Sequence, residues 1–200
     1  MGKLAHDLGY VKTDKCTAET LSGIKKLEFS FGADGLVSTV RVDMGRHELD
    51  GKKIPSAFSG ESVINAPLEV GGKTYGVTLV SMGNPHCVVF ADPEKTDVEK
   101  IGVKFENHAA FPDRINTEFV KVVGKNELSM RVWERGSGET FACGTGACAA
   151  AVAAVLNGLC EKNRGITVHL RGGDLEILYT DETVFMTGPA TLVFTGEIKL

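Results

Sequence analysis

The sequence lacks any long hydrophobic run. Its longest unbroken apolar segment covers residues 147–156, whereas a helix needs about 20 apolar residues to cross a membrane. Residues 1–16 contain no continuous apolar segment of the kind found in a secretion signal. We therefore expect a cytoplasmic protein that makes no contact with a membrane.

Paired cysteines and an excess of basic residues are also missing. The five cysteines lie at irregular spacing and form no Cys-x-x-Cys pair, which favours reduced thiols and no bound metal. Lys and Arg number 22 against 26 Asp and Glu, and the basic residues are scattered along the chain. Binding to nucleic acid requires clustered positive charge. The composition therefore argues against nucleic acid as a partner.

Glycine, by contrast, is abundant. The chain has 24 glycines and six prolines in 200 residues, while the usual share of glycine is about 7%. Glycines separate short runs of alternating apolar residues, as at 34–35, 71–72 and 172–173. This spacing predicts hairpins of short strands, and hence a protein of the α+β class built on antiparallel sheets.

One segment does not fit the strand pattern. Residues 144–157, GTGACAAAVAAVLN, are followed by Gly158, and glycine is typical of the position after a helix. From Ala147 onward the segment is apolar on every side, so a helix formed by it has to be buried all round. We therefore predict sheets wrapped around a central helix over 144–157, with Cys143 at its N-terminal end.

Cys143 is the first candidate for a catalytic group. A cysteine just before a helix lies at the positive end of the helix dipole, which favours its thiolate near neutral pH. The N–H groups of Gly144, Thr145 and Gly146 could bind an anion such as a substrate carboxylate. The alternative interpretation is a structural cysteine in a glycine-rich turn.

Five further polar residues are candidates for substrate contact. His86 could move a proton and Asn84 could bind a substrate group, although a turn asparagine beside a half-buried histidine would look the same. Asn116 stands at a strand start and also fits a simple turn. Glu134 and Arg135 could bind the ammonium and carboxylate groups of an amino acid, or form an exposed ion pair.

These segments resemble the diaminopimelate epimerase family. The resemblance rests on SMGNPHCVVF (81–90), RINTEF (114–119), ERGSGETFACGTGACAAAVA (134–153) and MTGPA (186–190). It implies a cofactor-independent isomerase that interconverts LL- and meso-2,6-diaminopimelate for lysine and peptidoglycan synthesis. It also implies a homodimer whose ligand is this small molecule.

The resemblance also implies roles for individual residues. Cys143 would be one of two catalytic thiols, with His86 and Glu134 supporting the proton transfers. The residues expected to contact substrate are Asn84, Asn116, Glu134, Arg135, Gly144 and Thr145.

The chain departs from the family pattern in one respect. Inversion by direct proton transfer needs a base on one face of the α-carbon and an acid on the other, and the family places its first thiol in a CGNG-like motif. No second CGxG motif occurs in this sequence. We therefore expect a chain that corresponds to the C-terminal three-quarters of a family member and is inactive or impaired on its own.

The family pattern also predicts domain boundaries and leaves functional alternatives open. In the family's pseudo-symmetric two-lobe fold, residues 1–52 would be the remnant of a truncated N-terminal lobe. Residues 53–190 would form the C-terminal lobe, and 191–200 a strand that returns to the first lobe. The alternatives are a non-catalytic fragment or binding module, and a thiol hydrolase with Cys143 and His86 as its dyad.

Overall fold

The computed structural model describes residues 1–198 of the chain. The fold divides into two compact units, Met1–Asp43 with the residues from Thr187 onward, and Met44–Met186. Residues 191–198 contain no strand, and the last two residues of the expected strand over 191–200 lie outside the described part. The lobe boundaries expected after residues 52 and 190 stay predictions.

The first unit is a small antiparallel sheet with one short helix. Its elements are α1 (Gly2–Asp7), β1 (Lys15–Thr20), β2 (Gly23–Phe31) and β3 (Val37–Gly45), with the strands paired in that order. Helix α1 packs closely on β2, because a methyl group on Gly2 would lie 2.8 Å from Leu27 Cδ2. The Asp7 side chain accepts a hydrogen bond from the Val37 N–H at 3.0 Å. These contacts hold α1 on the sheet.

The second unit contains most of the strands. Its elements in chain order are β4 (Ala66–Val70), β5 (Lys73–Ser81), β6 (Pro85–Phe90), α2 (Val98–Glu106), β7 (Asn116–Gly124), β8 (Glu127–Glu134), β9 (Gly138–Thr140), α3 (Gly144–Leu156), β10 (Gly165–Leu170), β11 (Gly173–Tyr179) and the first half of β12 (Val184–Pro189). The strand order is β4-β5-β6-β7-β8-β10-β11-β12, with β9 paired to β8. The three hairpins predicted from the glycine turns are confirmed as β2–β3, β4–β5 and β10–β11.

Two neighbouring pairs of strands run parallel, which the spacing of the glycines did not predict. These pairs are β6–β7 and β8–β10. Parallel neighbours need a long crossover connection, usually a helix, and α2 and α3 provide the two crossovers. The α+β class is confirmed, and the expected antiparallel arrangement is corrected at these two positions.

Helix α3 is the buried centre of the second unit. It ends at Leu156, and Gly158 follows in the left-handed region at φ 71°. Residues 146–154 are all buried, and α3 contacts β5, β6, β7, β8, β10 and β11. The alanine side chains are small enough for strands to approach from all sides. Burial of this helix is confirmed, and within residues 1–198 no helix is long and apolar enough to span a membrane.

His169 on β10 joins the two neighbouring strands. Its Nδ1 lies 2.8 Å from Asp174 Oδ1 on β11, and its Nε2 lies 2.8 Å from Glu127 Oε1 on β8. The hydrogen bond to Asp174, followed by the one to Glu127, raises the pKa of His169 above 6.5. The imidazolium form therefore links three strands.

This cluster is expected to make stability depend on pH. Because the pKa of folded His169 exceeds the unfolded value, its contribution is complete below about pH 6.5 and is lost as pH rises through the folded pKa. The effect should be small, since 34% of the side chain is exposed. Thermal unfolding of the parent and of His169→Gln should differ most near about pH 6 and converge near about pH 9. An equal difference at both pH values would contradict this.

Candidate active site

Cys143 caps the N-terminus of α3. Its backbone is extended, and its Sγ accepts a hydrogen bond from the Gly146 N–H at 3.3 Å. Thr145 Oγ1 lies 3.5 Å from the same sulfur. The N–H groups of Gly144 and Thr145 belong to the first helical turn, which has no intrahelical acceptors for them. The expected anion site therefore has two free N–H groups rather than three, because the Gly146 N–H already donates to the Cys143 sulfur.

The surroundings of Cys143 raise its pKa to about 11. Burial is the largest cause, since the residue is 7% exposed, and the Glu118 carboxylate acts in the same direction. The hydrogen bonds from Thr145 and Gly146 act against these effects but are weaker. The expectation of a thiolate near neutral pH is therefore wrong for the protein without substrate, because burial outweighs the helix N-terminus.

A chain of side-chain hydrogen bonds leads from the thiol into the core. Asn84 Nδ2 donates to Thr145 Oγ1 at 3.3 Å, and Asn84 Oδ1 lies 3.1 Å from His86 Nε2. On its other side, His86 Nδ1 lies 2.7 Å from Glu118 Oε1. Both His86 and Glu118 are fully buried. The structure thus brings Asn84, His86 and Thr145 together with Cys143 in one network.

Strand register explains why these side chains meet. Strands β6 and β7 are parallel, with His86 opposite Asn116 and Val88 opposite Glu118. Opposite residues, and residues two apart on one strand, share a face of a sheet. His86, Asn116 and Glu118 therefore point to one side, and Glu118 reaches the start of α3 at Gly146.

Asn116 links this network to the end of β8. Its Nδ2 donates to the backbone oxygen of Pro85 at 2.8 Å, and its Oδ1 accepts from the Arg135 N–H at 3.0 Å. Arg135 follows Glu134, whose negative charge also acts to raise the pKa of Cys143. Asn116, Glu134 and Arg135, which the sequence predicted as site residues, therefore lie around the same site as the Cys143 thiol.

Glu106 on α2 anchors the turn that carries Arg135. Its Oε1 accepts from the Gly136 N–H at 2.9 Å and from Arg114 Nη1 at 3.0 Å, and its Oε2 accepts from Trp133 Nε1 at 2.6 Å. Burial acts to raise the pKa of Glu106, but these hydrogen bonds together lower it. The ionised Glu106 carboxylate thus holds the turn after β8 in place through these hydrogen bonds.

Two buried carboxylates near the site, Glu118 and Glu106, were not predicted from the sequence. A charged residue within the apolar run of β7, two positions after Asn116, was an available signal for Glu118. Glu106 has no comparable signal, because it ends an amphipathic helix where an exposed glutamate is ordinary.

The Cys–His dyad of a thiol hydrolase is not formed. Such a dyad needs the base within hydrogen-bond reach of the sulfur. Both ring nitrogens of His86 face other partners, Glu118 and Asn84. The hydrogen bonds of His86 therefore give the hydrolase interpretation no support.

The other cysteines lie elsewhere in the chain. Cys87 belongs to a different hydrophobic cluster from Cys143, and burial raises its pKa well above the usual value. Cys148 is fully buried five residues further along α3. Cys16 lies in the first unit, and Cys160 follows the end of α3. Of the five, Cys143 alone caps a helix.

Comparison with known sequences identifies related proteins. The family model described as diaminopimelate epimerase matches residues 78–193. A curated diaminopimelate epimerase of Leptospira biflexa is 48% identical over 100% of this chain and 72% of its own length. That of Desulfitobacterium hafniense is 51% identical over 96% of this chain and 68% of its own length. The chain thus spans part of the length of each relative.

Solved structures share the fold. A probable proline racemase from Agrobacterium radiobacter has a TM-score of 0.70 at 12% identity, over 100% of this chain and 65% of that one. A predicted epimerase from Pseudomonas aeruginosa has a TM-score of 0.59 at 20% identity, over 97% of this chain and 72% of that one. At such low identity these likenesses show the fold alone.

Proposed function

The chain belongs to the diaminopimelate epimerase family, and we propose that it takes part in the cofactor-independent interconversion of LL- and meso-2,6-diaminopimelate. The observation that carries this proposal is the Cys143 thiol at the start of α3, joined through Thr145 to Asn84 and His86. The reaction would serve lysine and peptidoglycan precursor synthesis. We further propose a cytoplasmic homodimer that binds this small molecule and neither nucleic acid nor membrane.

In the proposed reaction, Cys143 serves one face of the α-carbon. As a neutral thiol it donates its proton to the carbanion, after a base on the opposite face has removed the α-hydrogen. In the reverse direction, the Cys143 thiolate removes the α-hydrogen and the opposite group donates. Because its pKa is about 11, the thiolate is a strong base once formed.

Inversion needs a separate group on the opposite face, because a single thiol returns the proton to the side it came from. We propose a second thiol for this role. The sequence contains no second CGxG motif, so this thiol would come from outside these 200 residues.

The first turn of α3 is suited to the substrate carboxylate. The N–H groups of Gly144 and Thr145 and the positive end of the helix favour an anion there. A methyl group on Gly144 would lie 2.9 Å from Met186 Sδ, so a larger residue there would have to displace the end of the Met186 side chain. When the α-hydrogen leaves, negative charge spreads onto this carboxylate, and the same N–H groups stabilise it.

The remaining site residues would bind or position the substrate. Glu134 is suited to the ammonium group, and Arg135 to a carboxylate. Asn84 and Asn116 each offer a side-chain amide beside the site. His86 supports the proton transfer through Asn84 as a positioning residue, because both of its ring nitrogens are already occupied.

A chimaera provides the test. Residues 1–200 replace the matching part of the Leptospira biflexa relative, and conversion of LL- to meso-diaminopimelate is followed by chiral chromatography. We expect conversion by the chimaera and none by the 200-residue polypeptide. The unmodified relative is the positive control. A folded chimaera without conversion would contradict the proposed function.

A further inference from the structure

Glu118 is a buried carboxylate to which neither the sequence analysis nor the proposed function gave a role. It is 0% exposed, and it stands in β7 beside the fully buried Phe119. Its Oε1 lies 2.7 Å from His86 Nδ1, while its Oε2 is buried without a hydrogen-bond partner among residues 1–198. Burial of a carboxylate is costly unless it is paired, so His86 is the partner that makes its presence possible.

The hydrogen-bond partners of His86 indicate which of its ring nitrogens carry a hydrogen. On one side Nδ1 faces the Glu118 carboxylate, and on the other Nε2 faces Asn84 Oδ1. An ionised carboxylate and an amide oxygen only accept hydrogen bonds, so both ring nitrogens donate when Glu118 is ionised. In that arrangement the His86 ring pairs with the Glu118 carboxylate. Its Nε2–H holds Asn84 Oδ1, which leaves Asn84 Nδ2 directed at Thr145.

Glu118 also approaches the thiol itself. A methyl group on Gly146 would lie 2.7 Å from Glu118 Oε1 and 3.2 Å from Cys143 Sγ. The carboxylate and the sulfur therefore both lie against Gly146. Glu134, at the end of β8, raises the pKa of Cys143 as Glu118 does. The hydrogen bond with the Thr145 hydroxyl lowers it.

We propose that Glu118 is a positioning residue of the Cys143 site, which holds His86 as a doubly protonated ring and places a carboxylate beside the thiol. Through His86 it fixes Asn84, and through Asn84 it fixes the Thr145 hydroxyl beside the sulfur. The role of Cys143 as the acid–base group rests on the proposed function. The two measurements below need no turnover, so this inference and the proposed function can fail separately.

The first measurement uses the parent chain. Nitrogen-15 NMR of histidine-labelled protein reports whether each ring nitrogen carries a hydrogen, and His86→Gln identifies the His86 signals. We expect two protonated nitrogens in the parent and one in Glu118→Gln. A non-protonated His86 nitrogen in the parent would overturn the proposal, even if the Glu118 variant did not fold.

The second measurement is the pH profile of Cys143 alkylation by iodoacetamide, followed by peptide mapping. Glu118→Gln keeps the size of the side chain and removes the carboxylate that lies against Gly146 beside the sulfur. The imidazolium charge of His86 is lost with it, but His86 is not among the groups that act most strongly on the pKa of Cys143, so the profile should move to lower pH. At about pH 8 alkylation should be roughly tenfold faster, which corresponds to about one pKa unit. Glu69→Gln is the matched control at an exposed glutamate on β4, and its profile should match the parent. A Glu118→Gln profile that also matches the parent would overturn the proposal.

Discussion

Replacement of Cys143 by alanine should lower epimerisation by the chimaera by about 10²–10⁴-fold, the usual contribution of a positioned acid–base group. One face of the α-carbon then has no group to give or take a proton, and no histidine replaces it, because His86 is held by Glu118 and Asn84. Initial rates from chiral chromatography measure the loss in both directions. The loss should be equal in the two directions, since Cys143 acts in each.

The control for this variant is Cys16→Ala. Cys16 is half-buried in β1 of the first unit and takes no part in the thiol network. Its replacement should leave the rate unchanged, and both variants should unfold at nearly the parent temperature. If Cys143→Ala kept the parent rate, Cys143 would not be an acid–base group of this reaction.

Alanine at position 146 is expected to damage both stability and rate. Its methyl group would lie 2.7 Å from Glu118 Oε1, 3.2 Å from Cys143 Sγ and 3.3 Å from Cys143 Cβ. Both neighbours are buried, so the strain should cost about 1–3 kcal/mol of unfolding free energy. A displacement of the sulfur by about 1 Å should lower the rate by about 10²-fold.

Chemical denaturation and the chimaera assay measure these two losses. Gly196→Ala is the control, because a methyl group there meets nothing within 4 Å and the residue is not in the left-handed region. It should change neither quantity. A Gly146→Ala protein with parent stability and parent rate would show that the carboxylate and the thiol do not approach each other at this glycine.

Much of the fold could be predicted from local patterns in the sequence. The helix over 144–157 could be predicted because ten consecutive apolar residues leave it no polar face, and α3 is buried as expected. Glycine pairs between alternating runs located three hairpins. The parallel pairs β6–β7 and β8–β10 could not be predicted, because they depend on how the long connections cross the sheet rather than on any local pattern.

The site was only partly predictable for a related reason. Cys143, Asn84 and His86 lie in polar, glycine-rich turns that stand out in the sequence, and the structure joins them. Glu118 lies beside these residues only because of the register between β6 and β7. That register cannot be predicted from either strand's sequence alone. The pKa of Cys143 depends on total burial and on that same carboxylate, so a helix N-terminus alone gave the wrong direction.

Isotope exchange by the 200-residue polypeptide shows whether Cys143 serves one face of the α-carbon. LL- and meso-diaminopimelate are incubated separately with the polypeptide in D₂O, and proton NMR with chiral chromatography reports deuterium and configuration. We predict slow deuterium incorporation into one isomer with retention of configuration, and none with Cys143→Ala. Formation of the opposite isomer by the polypeptide alone would show that its own residues serve both faces, and exchange that survives Cys143→Ala would show that Cys143 does not serve this one.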